Sequence, residues 1–160
     1  MMKKLWVLGL IVACLCGCHR PEKFSEIPYI EFIGLEADSV EVGKSNLIVY
    51  FQDGDGDLGL SEADSTGLFA PDSQYYYNFF IDYYEKQNGE WVLVDLPMPL
   101  HCRIPRLSDV DQESISGQIK ILTYVRNPIS SYDTTKLSCY MLDRALHKSN
   151  VIETPEIIRK

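Results

Sequence analysis

From residue 28 onward, short runs of aromatic and β-branched residues alternate with turns rich in Gly, Pro, Asn and Asp. No segment of convincing length places its apolar residues at the three- and four-residue intervals of an amphipathic helix. About eight short strands in a single domain predict an all-β fold, an immunoglobulin-like β-sandwich over residues 28–160. The predicted strands are 29–35, 39–42, 46–52, 74–86, 90–96, 102–104, 117–125 and 136–142, with a short one at 156–158.

The clearest turn signal is Asn88-Gly89, which lies between two of these runs. Asn-Gly favours a two-residue type I′ turn, because both central positions need a positive φ. A hairpin closed by this turn places Lys86 opposite Trp91 and Tyr84 opposite Leu93. The sequence therefore fixes the register of this hairpin as well as its position.

The strand before this turn alternates strictly, and its apolar set predicts which side faces the core. The residues assigned to the core are Tyr75, Tyr77, Phe79, Ile81 and Tyr83. The same register places Asp82 opposite Asp95, and directly opposed like charges are unfavourable. We expect either a β-bulge or a nearby cation at that point, and we favour the bulge.

The first 18 residues, MMKKLWVLGLIVACLCGC, have the layout of a secretory signal, with two lysines before a twelve-residue apolar run. A membrane-spanning helix needs about 20 apolar residues, so this run is too short to be one. Its last four residues resemble the lipobox of bacterial lipoproteins. We predict that residues 1–17 are cleaved, that Cys18 is acylated, and that 18–27 form a polar tether. The alternative is an ordinary signal peptide with incidental cysteines.

Acylation at Cys18 predicts a protein held outside the cytoplasm by its lipid, palmitate included, and not by a transmembrane segment. His19 follows where enterobacterial inner-membrane lipoproteins have Asp, which favours the outer membrane and leaves its periplasmic and surface faces open. Cys102 and Cys139 then remain as an even pair in an oxidising compartment. A disulfide and two separate buried thiols are both consistent with that count.

Charge is distributed unevenly along the chain of 160 residues, which is 46% hydrophobic and 24% charged. This composition suits a folded domain, and the formal net charge of −8 argues against nucleic acid as a partner. Between Lys44 and Lys86 there are eight acidic residues and no Lys or Arg. The imbalance therefore points to a local feature.

That feature is FQDGDGDLGL, in which aspartates alternate with glycines directly after a predicted strand. The ligand positions 1, 3, 5, 7, 9 and 12 of an EF-hand loop correspond here to Asp53, Asp55, Asp57, Gly59, Ser61 and Asp64. Leu58 occupies the position where an EF-hand has glycine, and the flanking helices are missing. We therefore predict a structural Ca²⁺ site without the EF-hand fold. A solvated turn without metal is the alternative.

A second candidate site is an aromatic platform for a carbohydrate or a protein, made by Tyr76, Phe80, Tyr84 and Trp91. The alternative is that these side chains cover the core or a loop edge. The three histidines lie in no recognisable catalytic setting, and no nucleophile motif is present. We therefore expect a protein that is not an enzyme.

Several segments together resemble an uncharacterised family of small Bacteroidetes lipoproteins. They are the lipobox, FQDGDGDLGL, FFIDYYEKQNGEW, CRIPRL, SGQIKI and DRALHKSNVIETPEI, which cover most of residues 46–158. The family typically shows an F-x-D-G-D-G-D-[IL]-G stretch and a D-R-A-x-x-K-S-N ending. Leu146-His147 stands where relatives often have Gly-Asn, which puts the family's tight glycine turn in question. The resemblance implies a secreted β-sandwich on the outer membrane and implies no activity.

These observations lead to one expected function and two alternatives. We expect an envelope lipoprotein, anchored to the membrane through Cys18, that is a non-enzymatic binding module with a structural Ca²⁺ site and an unknown protein or glycan partner. A carbohydrate-binding accessory lipoprotein that uses the aromatic platform is the first alternative. An envelope hydrolase is the second.

Overall fold

The computed structural model describes residues 24–108 and 113–158. The predicted signal peptide, Cys18 and the first part of the tether lie outside the described residues. Within the described ranges, no helix is both long and apolar enough to cross a membrane. A single 3₁₀ turn at Gly67–Phe69 is the only helical element in that part of the chain.

Eight strands form the described domain. They are β1 (Tyr29–Ala37), β2 (Lys44–Asp53), β3 (Phe79–Gln87), β4 (Glu90–Leu93), β5 (Ile115–Tyr124), β6 (Thr134–Met141), β7 (Ile152–Glu153) and β8 (Ile157–Ile158).

The strands form two antiparallel sheets that pack together as a β-sandwich. One sheet has the order β1-β2-β5, and the other has β4-β3-β6-β7 with β8 also paired to β6. This is the order of strands A-B-E and C′-C-F-G in an immunoglobulin-like sandwich. The predicted fold class is confirmed.

The core lies between the sheets and follows the period-two alternation of the central strands. Alternate residues of β2, β3 and β6 are buried and form one hydrophobic cluster with Ile30 and Ile121. The largest fully buried apolar side chains are Phe79, Ile30, Leu47, Leu58, Leu137, Met141 and Val49. The strand order fixes which loops share an end of the sandwich, so the loops after β2 and β6 meet.

The β3–β4 hairpin has the predicted turn and register. Asn88-Gly89 has φ values of 53° and 93°, and Lys86 pairs with Trp91 as Tyr84 does with Leu93. The bulge expected at Asp82 is wrong, because β4 ends at Leu93 and the two aspartates are never brought into register.

One predicted strand, 39–42, is a turn between β1 and β2. The Asp38 carboxylate accepts hydrogen bonds from the main-chain N–H groups of Val40 and Glu41, at 2.8 and 2.9 Å, which closes the turn locally. Val40 and Val42 are largely exposed, so their β-branched side chains bury no surface in a sheet. Local side-chain hydrogen bonding overrides strand propensity here.

The predicted strand 74–86 begins later than expected, at Phe79. The buried Asn78 amide holds the chain just before it, because its side chain both donates to and accepts from the main chain of Ile104. Consequently Tyr75 is half-buried and Tyr77 is exposed, and neither belongs to the core as predicted. The predicted strand 102–104 is reduced to a single bridge between Cys102 and Phe79.

Cys102 and Cys139 are free thiols, so the disulfide alternative is wrong. Cys102 bridges Phe79 on one side of β3, while Cys139 pairs with Ile81 on the other side. Two strand spacings alone put their Cα atoms at least about 9.5 Å apart, and a disulfide needs less than about 7 Å. Burial raises the pKa of Cys102 to about 11 and of Cys139 to about 12, which keeps both thiols protonated and unreactive.

Candidate metal centre

The acidic loop leaves the sheet at Asp53, the last residue of β2, and is held down at several points. Leu58 and Leu60 are buried, and the Leu60 N–H donates to the Ile104 carbonyl at 3.0 Å. Gly59 has a φ of +91°, and a Cβ added there would lie 2.1 Å from the Pro105 carbonyl oxygen. Only glycine fits that position. The loop therefore follows a fixed path over the end of the sandwich.

This path brings carboxylates from two distant loops together. One oxygen from each of Asp53, Asp57 and Asp143 lies within 4.8 Å of the others. Asp143 comes from the loop after β6, which the strand order places at the same end of the sandwich. Asp53 and Asp143 are both fully buried or nearly so, at 0% and 2% exposure. We call Asp53, Asp57 and Asp143 the acidic cluster.

Three carboxylate oxygens at this site are buried without a hydrogen-bond donor among the described residues, namely Oδ1 of Asp53, Asp55 and Asp57. The Oδ2 atoms of Asp53 and Asp57 do accept hydrogen bonds. Oδ2 of Asp53 accepts from the Leu58 N–H at 3.3 Å, and Oδ2 of Asp57 accepts from the Ala145 N–H at 3.1 Å. Buried acceptors without donors are rare in native proteins because each one costs free energy. A cation bound at the acidic cluster is the kind of partner that such oxygens lack.

The electrostatics of the cluster agree with that geometry. Burial raises the pKa of Asp53 to about 6, with further contributions from the negative charges of Asp55 and Asp57. Burial likewise raises the pKa of Asp57 to about 6, and the Asp143 charge adds to it. Without a cation, the protein must therefore either keep unfavourable charges or bind protons at this site.

Asp143 is positioned by the turn that it begins. Its Oδ1 accepts from the His147 main-chain N–H at 2.7 Å, and its Oδ2 lies 2.9 Å from Nδ1 of the same residue. Burial raises the pKa of Asp143, whereas its hydrogen bond and charge raise the pKa of His147. Leu146 completes the turn with a φ of 69°, so a tight turn forms here without a glycine. Leu146 consequently holds a strained conformation.

The six ligands predicted by EF-hand spacing do not all lie at one site in the structure. Asp53 and Asp57 come together as expected, Asp55 lies near enough for its charge to raise the pKa of both, and Gly59 lies against Pro105. The last two predicted ligands lie in a different network, so the EF-hand count fails beyond the first three aspartates.

In that network the Asp64 carboxylate accepts from the Ser61 N–H and hydroxyl, at 2.8 and 2.7 Å. Arg144 pairs with the same Asp64 oxygen at 2.6 Å. The physical reason is the burial of Leu58 and Leu60, which draws the chain into the core before it can wrap around an ion. Ser61 and Asp64 are therefore replaced by Asp143, which the sequence analysis did not assign to the site.

The predicted aromatic platform is formed only in part, because Tyr76 does not share the outer face on which Phe80, Tyr84 and Trp91 lie. Phe80 and Tyr84 alternate with buried residues on β3 and so lie on its outer side. The Lys136 ammonium lies 5.4 Å from the centroid of Tyr84 and 5.1 Å from that of Trp91, covering both rings. Tyr76 precedes the strand and packs against the Arg103 guanidinium at 5.2 Å.

No family model matches the chain, and neither a curated protein nor a solved structure shows significant similarity to it. The class of metal ion that would fit the site is therefore inferred from the chemistry of its ligand atoms. Asp53, Asp57 and Asp143 offer only carboxylate oxygens, which are hard ligands that suit Mg²⁺, Ca²⁺ or Mn²⁺ better than zinc or copper. This cluster could hold a metal ion.

Proposed function

We propose that the protein is a lipid-anchored envelope protein whose β-sandwich is a non-enzymatic binding module stabilised by one Ca²⁺ ion. The ion would be held by the acidic cluster together with Asp55. The observation that carries this proposal is the set of buried Oδ1 atoms of Asp53, Asp55 and Asp57, for which the described part of the chain offers no donor.

Calcium suits this site better than magnesium. Ca²⁺ accepts six to eight oxygens in flexible geometry, whereas Mg²⁺ demands a near-ideal octahedron and keeps several waters. Here, carboxylates from two loops converge on a largely buried point, which leaves little room for a water shell. Sites of this kind outside the cytoplasm bind Ca²⁺ in the range of about 10⁻⁴ to 10⁻³ M.

The role of the ion would be structural. It would join the loop after β2 to the loop after β6, which are otherwise linked by the Asp57–Ala145 and Asp64–Arg144 contacts. The cluster contains no hydroxyl or thiol, and half-buried Cys102 and buried Cys139 keep protonated thiols. These features support a binding module more than a hydrolase. The lipobox and the resemblance to Bacteroidetes lipoproteins support the anchor at Cys18 and an outer-membrane location.

The test is thermal unfolding of the full chain, purified in detergent, in EDTA and in millimolar Ca²⁺. We expect Ca²⁺ to raise the Tm, by an amount that corresponds to about 2.7 kcal/mol when its concentration is 100 times the Kd. Asp55→Asn should remove most of this shift. Asp64→Asn is the matched control, because its carboxylate is paired with Arg144 and should leave the Ca²⁺ shift intact.

Two results would contradict the proposal. One is a Tm that is the same in EDTA and Ca²⁺. The other is loss of the shift in Asp64→Asn with retention in Asp55→Asn, which would restore the EF-hand ligand set in place of the acidic cluster.

A further inference from the structure

A gap interrupts the five-stranded sheet beside β3. β4 pairs with the second half of β3 and ends at Leu93, while Cys102 bridges Phe79 at the start of β3. Between these contacts lies a cavity of about 210 Å³. It is lined by 81–83 of β3 and by residues of the segment 93–101. The cavity is small, so it suits an occupant of the size of one sugar ring or less.

Two carboxylates without partners among the described residues and one histidine line this cavity. Neither carboxylate, Asp82 or Asp95, makes a hydrogen bond or ion pair with the residues that the structure describes. His101 uses Nδ1 to accept the Ile81 main-chain N–H at 3.1 Å. That contact assigns the proton of the neutral ring to Nε2, which is then a donor. The cavity thus offers two acceptors and one donor.

An aromatic cluster adjoins the cavity at His101. The Phe80 ring lies 5.1 Å from the His101 ring and stacks on Tyr140, with centroids 4.8 Å apart and planes at 7°. Tyr77, which is exposed, contacts the same histidine edge-on at 6.1 Å. Phe80 lies between Tyr140 and His101, so Tyr77 is the exposed ring of this cluster.

The spacing of the polar groups distinguishes between ligand classes. The acidic cluster is the one group of acidic, His or Cys side chains in the described ranges that is close enough to share a metal ion. Asp82, Asp95 and His101 therefore line the cavity without all three converging on one point, as a metal ion would need. Two carboxylates would also repel an anion.

A neutral sugar ring matches this arrangement, because hydroxyls around its rim both donate and accept, and its C–H face can pack on the exposed ring of Tyr77 beside His101. We infer that the cavity between β3 and segment 93–101 binds one neutral hexose or N-acetylhexosamine ring of a glycan through Asp82, Asp95 and His101. The inference rests on the proposed binding function and gives it a ligand class. It places the sugar site beside residues 81–83, in the middle of β3, and not on Tyr84 and Trp91.

The experiment is saturation-transfer difference NMR on the full chain in detergent. The probes are glucose, galactose, mannose and N-acetylglucosamine, with the diamine putrescine as the cationic probe. We expect at least one sugar to bind saturably with a millimolar Kd, and putrescine not to bind. Asp82→Asn and Asp95→Asn should each weaken that sugar about tenfold, the effect of one lost charged hydrogen bond. Asp72→Asn, at an exposed turn, is the control and should bind as the wild type does.

The inference is overturned if no sugar binds up to about 50 mM, a concentration above the Kd of weak specific ligands. It is also overturned if putrescine binds in place of the sugars, or if Asp72→Asn weakens binding as much as Asp82→Asn does. The Ca²⁺-dependent Tm shift is measured on every sample. A normal shift without sugar binding overturns the sugar site alone, whereas sugar binding without a shift overturns the calcium site alone.

Discussion

Asp53→Asn should stabilise the metal-free protein and abolish its response to calcium. The substitution keeps the shape of the side chain, and the Asn Oδ1 can still accept the Leu58 N–H that Asp53 accepts at 3.3 Å. The amide then places its NH₂ group where Asp53 has a buried oxygen without a donor. It removes a charge that two neighbouring carboxylates repel.

The magnitude follows from the pKa of Asp53. Folding raises this pKa from 3.8 to about 6. At 1.36 kcal/mol for each pH unit, ionising the buried group at pH 7 costs the fold up to about 3 kcal/mol. The residue is fully buried, so solvent screens little of this cost. A change of that size corresponds to a Tm shift of roughly 10 °C for a domain of this length.

The assay is differential scanning calorimetry of wild type and Asp53→Asn at pH 7, in EDTA and in saturating Ca²⁺. In EDTA the variant should melt higher, and in Ca²⁺ the order should reverse, because only the wild type gains binding energy. Asp72→Asn, which changes the same charge at an exposed turn, should follow the wild type in both conditions. A variant that melts lower than wild type in EDTA, or that keeps the full Ca²⁺ shift, would refute the reasoning.

The remaining predictions concern pH, the turn after β6 and the anchor. Because the pKa values of Asp53 and Asp57 are raised, their contribution to stability is fully present below about pH 4 and is lost as pH rises through about 6. Melting in EDTA should therefore show the wild type losing stability over this range relative to Asp53→Asn, and the Ca²⁺ shift growing. Equal pH profiles for the two proteins would contradict this. Leu146→Gly should raise the unfolding free energy by up to about 1 kcal/mol in chemical denaturation, because glycine adopts the φ of 69° without strain; an unchanged or lower midpoint would count against strain at Leu146. Cys18→Ala should release the protein from membranes and end labelling with radioactive palmitate; persistent labelling would place the lipid elsewhere.

The parts of the fold that were predictable are those fixed by local pattern. Strict alternation in β3 identified Phe79, Ile81 and Tyr83 as core residues, and Asn88-Gly89 fixed the hairpin register. The turn at 38–43 was missed because its two valines favour a strand while the Asp38 side chain, acting over three residues, favours a turn. Propensity averaged along a window does not register such a hydrogen bond.

The candidate site was half predictable for a different reason. Asp53, Asp55 and Asp57 are close in sequence, and their mutual repulsion without a nearby base was visible there. Asp143 is 86 residues after Asp57, and only the strand order brings the two loops together. Asp64 was wrongly assigned by counting positions along the loop. The path of this loop depends on the burial of Leu58 in the core, which positions along the sequence do not show. The D-R-A segment in the resemblance was the one available hint of the missing ligand.

The contact at Gly54 bears on how the domain stands on a membrane. A Cβ at this glycine would lie 2.5 Å from the Phe24 carbonyl oxygen, so the incoming chain crosses directly over the acidic loop. Six residue steps separate Phe24 from the proposed acylated Cys18, and they span at most about 20 Å. The domain would therefore sit close to the lipid surface with its metal end downward, and the Asn88-Gly89 hairpin tip and the turn at 38–43 would point outward to whatever the protein meets.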